Sequence, residues 1–433
     1  MSPAPDVVTL AQDLMRIDTS NFGDHSGPGE RAAAEYVATV LSNLGLEPVI
    51  RESHPGRASL TALWEGADRT RAPLVVHGHL DVVPAFPDEW SHPPFAAEIH
   101  DGLIWGRGAV DMKATDAMIL ATVASMIEAG VKPARDIVLG FFADEEAGGA
   151  WGARFMTENH PDDFRGATEA ISEVGGFSTQ INGRRAYLLQ TAEKGIQWLR
   201  LIAGGTAGHG SLVHDDNAVT HLSEALARIG RYAWPLDVMP TVEELLRGVA
   251  DLTGDTYEPE PEVVARLIAQ LGSAARLVEP TVRNTSNPTQ LRAGYKANVI
   301  PDSAEGVVDS RFLPGQQEEV LAQIERLAGP YVKVEPIVTD VALEQPFDAP
   351  IVHKMMEALH AEDPGAPILP YALSGGTDNK SMSRLGIRGY GFAPLQLPPE
   401  LDFPALFHGV NERVPVEGLR FGVRVMGRFL ADC

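Results

Sequence analysis

The sequence predicts an α/β protein, in which helices flank a mixed, mostly parallel sheet and a smaller α+β domain interrupts the larger one. Three observations predict it. From residue 6 to about residue 192, short apolar runs such as Leu74-Val75-Val76 and DIVLGFF (Asp136 to Phe142) alternate with stretches of helical spacing. Near Ala192 the texture changes to two strand–helix–strand sets, a Gly-rich loop and a long stretch rich in Pro and Glu. Apolar α/β texture returns around Val341 and runs to the end. The expected domains are therefore 1–192 with 341–433, and an inserted 193–340 that carries an extra segment at about 232–290.

Asp6 to Arg16 spaces Val7, Leu10 and Leu14 as a helix does, and Glu30 to Leu44 repeats the pattern with Gly45 at its stop. Strand-like runs follow at Glu47–Arg51, Ser59–Trp64 and Pro73 onward. Leu103-Ile104-Trp105 leads into Gly106 to Lys113, and Ala114 to Ala129 is helical with Gly130 as its stop. Asp136 to Phe142 reads as a buried strand ending in Ala143-Asp144-Glu145-Glu146, and Ala167 to Ser172 leads to Glu173-Val174-Gly175-Gly176. In the insertion, Ile196 to Ala203, Ala297 to Pro301, Gly306 to Phe312 and Tyr331 to Thr339 read as strands. Asn217 to Ile229, Val263 to Leu271 and Gln316 to Leu327 read as helices.

Composition narrows the function. Hydrophobic residues make up 44% of the 433 residues and charged residues 22%, as in an ordinary globular protein. With 35 Lys+Arg against 59 Asp+Glu the net charge is −24, which disfavours nucleic acid and anionic membranes as partners. The single cysteine, Cys433, excludes an intrachain disulfide and a thiolate metal cluster. The start, MSPAPDVVTLAQDLMRIDTS, lacks the basic and apolar regions of a signal peptide, and no apolar run is long enough to span a bilayer. A cytoplasmic enzyme is the expectation. No G-x-x-x-x-G-K-[ST], G-x-S-x-G or H-E-x-x-H occurs, which argues against a P-loop enzyme, an α/β-hydrolase and a helical zincin.

The chemistry points to metal. PLVVHGHLDVVP (Pro73 to Pro84) delivers His77-Gly78-His79-Leu80-Asp81 at the end of its strand, where ligands bind in open α/β sheets. His79 and Asp81, two apart, share a face, so His79 can take a metal while Asp81 holds its ring. Further strand ends present Asp111, the pair Glu145-Glu146, and Glu173. A polar loop near the C-terminus adds His408 in His408-Gly409-Val410-Asn411-Glu412. Nitrogen and oxygen donors without cysteine suit Zn²⁺, with Mn²⁺ and Co²⁺ less often. Two histidines and three carboxylates suffice for two divalent ions if one carboxylate bridges, and ions about 3.5–4 Å apart activate water for hydrolysis. The remaining carboxylate of the Glu145-Glu146 pair is then free to carry the proton. His77, on the same strand, reads as a core histidine.

The set GHLDVVP, WGRGAVDMK, ADEE, SEVGG and HGVNE resembles the M20 family of co-catalytic metallopeptidases, over essentially the whole chain. That family includes carboxypeptidases, aminoacylases, acetylornithine deacetylases and succinyl-diaminopimelate desuccinylases. The resemblance implies a zinc-peptidase-like catalytic domain with an inserted lid and dimerisation domain. It implies His79 and Glu173 on one metal, Glu146 and His408 on the other, and Asp111 between them. It implies Asp81 as orienter of His79, Glu145 as general base and acid, and a cis peptide after Asp111. In the insertion, His209 of GHGS matches the histidine that helps bind the scissile carbonyl oxygen, commonly from the partner subunit of a homodimer. Asn298 of ANVIP and Arg311 of DSRFLPG match residues that grip the substrate carboxylate, a job that suits the planar fork of arginine. Gly376 and Thr377 of Gly375-Gly376-Thr377-Asp378 match a substrate-contacting loop.

The expected activity is hydrolysis of an amide bond next to a free carboxylate, on a small N-acyl amino acid or a short peptide. Glu rather than Asp at position 173 goes with acylases and carboxypeptidases, so a di-zinc aminopeptidase is the weaker alternative and a metal-free binding relative a remote one. The chain departs from the family pattern at Val213, where Pro is frequent, and at Asn379-Lys380, where Ala-Arg is frequent. The 232–290 stretch is longer than a minimal lid needs, which bears on the dimer and on His209 acting in trans.

Overall fold

A computed structural model of the chain describes residues 5–24 and 26–433. Its frame is a ten-stranded sheet in the order Val49–His54, Arg57–Trp64, Ile137–Phe142, Leu74–His79, Glu169–Ser172, Arg388–Gly391, Arg184–Glu193 and Leu343–Glu344. Ile368–Leu373 and Phe177–Ile181 also pair with Arg184–Glu193. The four strands from Ile137–Phe142 to Arg388–Gly391 run parallel, and both ends of the sheet are closed by antiparallel pairs. The sheet is therefore mixed.

Burial explains the continuous apolar runs. Leu74 and Val76 join the core on one face of the sheet, while Val75 and Val138 join Phe142, Met156 and Met382 on the other. A parallel strand covered on both faces needs apolar residues at every position rather than at alternate ones. Helices Val7–Arg16, Lys113–Glu128, Pro350–Glu362 and Val416–Asp432 pack together over the first face.

The insertion forms a separate four-stranded antiparallel sheet in the order Thr285–Ala293, Ser303–Phe312, Gly195–Gly204 and Val332–Asp340. Helices Ala218–Gly230 and Gln317–Ala328 cover one face of it through Leu222, Ala225, Ile229, Val320 and Ile324. The chain passes between the two sheets at Lys194 and again at Val341. Buried Lys380 clasps both crossings, its Nζ donating to Lys194 O and Val341 O at 2.7 Å each.

The long Pro- and Glu-rich stretch begins on this smaller core, with Tyr232 and Trp234. Its helices Pro240–Thr253, Pro261–Ala269 and Ala275–Val278 then bury Val242, Leu245, Leu246, Val249, Leu267 and Val278 in the core of the larger sheet. Gly248 allows the close approach, since a Cβ there would lie 2.4 Å from Leu369 Cδ2. The stretch is thus inserted in sequence with the smaller sheet but packed on the larger body. Amphipathic helices bury their stripe wherever an apolar surface is uncovered, and here that surface is strand Ile368–Leu373.

Candidate active site

The site forms at the carboxyl ends of the parallel strands. Leu74–His79 and Ile137–Phe142 run in register from Leu74 opposite Ile137 to His79 opposite Phe142. His79 therefore ends level with the turn that carries Asp144, Glu145 and Glu146. Asp144 takes the left-handed conformation at φ 66°, which lets the chain turn sharply at the sheet edge. Glu173 follows the neighbouring strand Glu169–Ser172. Asp111 is not on a strand end of this sheet, contrary to the sequence reading. Leu103–Trp105 belongs to a small antiparallel sheet, and Asp111 lies in the loop from it to helix Lys113–Glu128. The Asp111–Met112 peptide is cis, as the resemblance implies.

Two triads emerge, sharing Asp111. In one, His79 Nε2 lies 2.9 Å from Asp111 Oδ1 and 3.7 Å from Glu173 Oε2. In the other, His408 Nε2 lies 3.0 Å from Glu146 Oε2 and 3.2 Å from Asp111 Oδ2. The donor atoms of each triad lie within 4.8 Å of one another. Glu145 belongs to neither triad, its Oε2 being 4.0 Å from His79 Nε2. All five expected metal ligands are thus brought together, and Glu145 stands beside them.

The electrostatics fit added positive charge. Burial, and then the Asp111 charge, push the Glu173 carboxyl up to about 8. Burial pushes Glu145 well above the usual carboxylate range. Burial also opposes ionisation of Asp111, but hydrogen bonds from His408 and His79 outweigh it and hold this carboxyl low. The same contacts, with Asp111 and Glu146, push His408 up to about 10. Glu146 Oε1 is buried without a hydrogen-bond partner. Carboxylates crowded out of water in this way need cations, and neutral imidazole with carboxylate oxygen is the donor set of Zn²⁺ and its neighbours. The residues therefore fit two divalent ions with Asp111 between them.

A supporting layer fixes the ligands. Asp81 accepts from Asn21 Nδ2 at 2.8 Å and from the backbone N–H groups of Glu145 and Glu146 at 3.1 Å each. Its backbone oxygen lies 3.0 Å from His79 Nδ1, closer than its carboxylate Oδ1 at 3.4 Å. The carbonyl is thus the nearer partner of the His79 ring, and the carboxylate mainly ties down the Glu145-Glu146 turn. The sequence reading missed Asn21 and Glu412. Fully buried Glu412 accepts from the N–H groups of Gly108, Val110 and Asp111 and from Arg107, so it holds the Asp111 loop in place. Its place four residues after His408 in HGVNE was the available signal; Asn21 had none.

A cavity of about 230 Å³ opens over the triads. Asp111, Glu145, Glu146, Glu173 and His408 form its floor, Gly375 and Gly376 its backbone rim, and Val174, Leu277, Leu373 and Phe407 its apolar wall. Leu277 comes from the Pro- and Glu-rich stretch. Thr377 does not line the cavity: its hydroxyl donates to buried Glu193 at 2.6 Å. His209, Asn298 and Arg311 do not line it either. His209 and Asn298 sit together on the smaller body, where Gly210 N donates to Asn298 O and His209 pairs with Val299. Arg311 is paired with Asp309 at 2.7 Å and lies across the ladder from Ile196, whose Cδ1 would stand 3.0 Å from a Cβ on Gly376.

The profile of the family described as "Peptidase family M20/M25/M40" matches residues 75–432. The chain is 27% identical to an N-fatty-acyl-amino acid synthase/hydrolase PM20D1 of Xenopus tropicalis, across 96% of this chain and 84% of that one. It is 26% identical to human aminoacylase-1, across 98% and 94%. Among solved structures, an M20 family metallo-carboxypeptidase from Sulfolobus solfataricus superposes with a TM-score of 0.76 at 18% identity, covering 99% of each chain. The dipeptidase Dug1p of Saccharomyces cerevisiae superposes with a TM-score of 0.70 at 15% identity, covering 98% of this chain and 96% of that one.

Proposed function

The chain belongs to peptidase family M20/M25/M40 and is a hydrolase of that family, and on that premise we propose that it is an N-acyl-amino-acid deacylase acting on apolar acyl groups. The observation that carries the acyl reading is the wall of Val174, Leu277, Leu373 and Phe407 above an acidic floor. An apolar wall takes up an acyl chain and offers no hydrogen-bond partner to a free peptide amine placed against it. The names of the relatives, acyl-amino-acid hydrolase and aminoacylase, agree with it. A carboxypeptidase or dipeptidase shares the same chemistry, and the aminopeptidase alternative has less support.

His79 and Glu173 would hold one divalent ion and Glu146 and His408 the other, with Asp111 shared; Zn²⁺ is the ion this donor set fits first, then Co²⁺ or Mn²⁺. When bound, such a pair lowers the pKa of water and polarises the scissile carbonyl. Glu145, facing the cavity outside both triads, takes the proton of the attacking water and returns it to the leaving nitrogen. Asp81 keeps Glu145 and Glu146 in position through their backbone N–H groups.

Asn298 and Arg311 take the substrate carboxylate and His209 the carbonyl oxygen. Since none of the three lines the cavity in one chain, this part of the reading requires the smaller body to close over it or a second copy to supply His209. Exposed Leu212 and Val213 beside His209, and Leu291 on the outer strand, offer apolar surface for a homodimer. The proposed location is the cytoplasm; no helix among the described residues is long and apolar enough to cross a membrane.

The test is hydrolysis by the zinc-loaded protein of N-acetyl and longer N-acyl amino acids, free-amine dipeptides, and the same dipeptides amidated at the C-terminus. Cleavage that needs the free carboxylate and favours long acyl groups is expected. Cleavage that needs the free amine and ignores amidation would refute the reading.

A further inference from the structure

Outside the active site, the described residues contain one more cluster with the donors of a transition-metal site: His92, Glu98 and His100, whose donor atoms lie within 4.8 Å of one another. It is built on the hairpin of Glu98–His100 and Leu103–Trp105. Glu98 and His100, two apart on a strand, project from one face, and Glu98 lies directly across from Trp105. His92, from the preceding loop, stands edge-on to the Trp105 ring at 4.8 Å and stacks on the His100 ring at 3.8 Å. These ring contacts hold both imidazoles beside the hairpin. Glu98 Oε2 then lies 2.8 Å from His100 Nε2 and 3.7 Å from His92 Nδ1.

We propose that His92, Glu98 and His100 form a third divalent transition-metal site, separate from the two-metal centre, with an open position toward solvent. Ligand atoms about 2.0–2.2 Å from a tetrahedral Zn²⁺ stand about 3.4 Å apart, and a rotation of one of the two stacked rings brings both lone pairs onto one ion. A simple ion pair between His100 and Glu98 needs no third member; the placement of His92 Nδ1 toward the same oxygen is what makes the set a ligand triad. Two imidazoles and one carboxylate favour Zn²⁺, Ni²⁺ or Cu²⁺ over Mg²⁺ or Ca²⁺.

The site has a mechanical link to the catalytic centre. Ser91, next to His92, donates its N–H to Asn411 Oδ1 at 2.7 Å, and Asn411 follows His408 by three residues. Arg413, just beyond, lies over the Trp105 ring at 4.6 Å and pairs with Trp105 in the small sheet. An ion on the triad would join the 90–105 segment across the same hairpin that braces the His408 loop.

The experiment is metal stoichiometry on tag-free full-length protein, dialysed against Zn²⁺ alone and measured by elemental analysis, for wild type and for the His92→Ala/His100→Ala double variant. The expected result is three equivalents in wild type and two in the variant, with the variant's melting temperature in chelator equal to that of wild type. Titrating Cu²⁺ into zinc-loaded protein should give a nitrogen-coordinated electron paramagnetic resonance spectrum that the variant loses. Two equivalents in wild type, or a third equivalent that persists in the variant, would overturn the proposal. Loss of the first two equivalents in both proteins would count instead against the two-metal centre, so the two failures are told apart.

Discussion

Glu145 and Glu146 are adjacent, alike in chemistry and placed on one turn, yet they are expected to fail differently. Glu146 Oε2 is 3.0 Å from His408 Nε2 and belongs to a triad, whereas Glu145 belongs to none and its Oε2 is 4.0 Å from His79 Nε2. Glu145→Gln keeps the shape and the backbone N–H that Asp81 holds, and removes only the ability to take a proton. General-base catalysis contributes about 10²–10⁴-fold, or about 3–5 kcal/mol of activation free energy at about 1.4 kcal/mol per tenfold. The expected outcome is a fall in kcat of that size with KM little changed and the wild-type metal stoichiometry retained. Removing a buried carboxyl that burial already disfavours as an anion should leave the melting temperature of the metal-free protein equal or higher. Glu146→Gln should instead lose one metal equivalent. Steady-state kinetics with a long-chain N-acyl amino acid, paired with elemental analysis of the same samples, decides it. A Glu145→Gln protein that lost metal, or one within tenfold of wild-type kcat, would refute the division of labour.

Three further outcomes follow. Asp81→Asn turns one acceptor of the Asn21, Glu145 and Glu146 donors into a donor, so metal affinity should fall about 10–100-fold and stability by about 1–3 kcal/mol; competition with a chromogenic chelator and denaturant melts measure the two, and unchanged affinity would contradict the supporting role. Leu277→Ala opens the apolar wall and should lower kcat/KM for long acyl groups by roughly tenfold or more while sparing N-acetyl substrates; an equal loss on both would place the acyl chain elsewhere. Lys194, at one crossing between the bodies, is pushed down to about 7, chiefly by burial and then by Arg311, while an unfolded lysine stays near 10.5. Between those pH values the unfolded chain holds a proton that the folded chain lacks, so stability rises with pH across the window. Lys194→Met should flatten that rise in denaturant melts at about pH 7 and about pH 9.5, and an equal rise in both proteins would refute it.

The local signals were strong wherever one physical constraint acted alone. Leu74–His79 and Ile137–Phe142 were legible because a parallel strand buried on both faces leaves a run of apolar residues that no loop carries. His79, Glu146 and Glu173 were legible because polar groups at the ends of such runs are costly to bury unless they have a task, whereas His408 was legible only through its HGVNE motif. The sequence alone thus determined the α/β class and the chemical type of the site.

Only the tertiary structure decided how distant pieces share one surface. Asp111 reaches the centre from a loop that leaves a different sheet, held by Glu412 some three hundred residues further on, and no local pattern encodes that contact. Asn21 is an ordinary loop residue until Asp81 is placed beside it. The Pro- and Glu-rich stretch carries apolar stripes of helical spacing, but the stripes are silent about which body they cover. Packing on Ile368–Leu373 settled that, and so put Leu277 into the wall of the cavity. Periodicity specifies that a helix has an apolar face, whereas which surface that face meets depends on the shape and exposure of everything else in the chain.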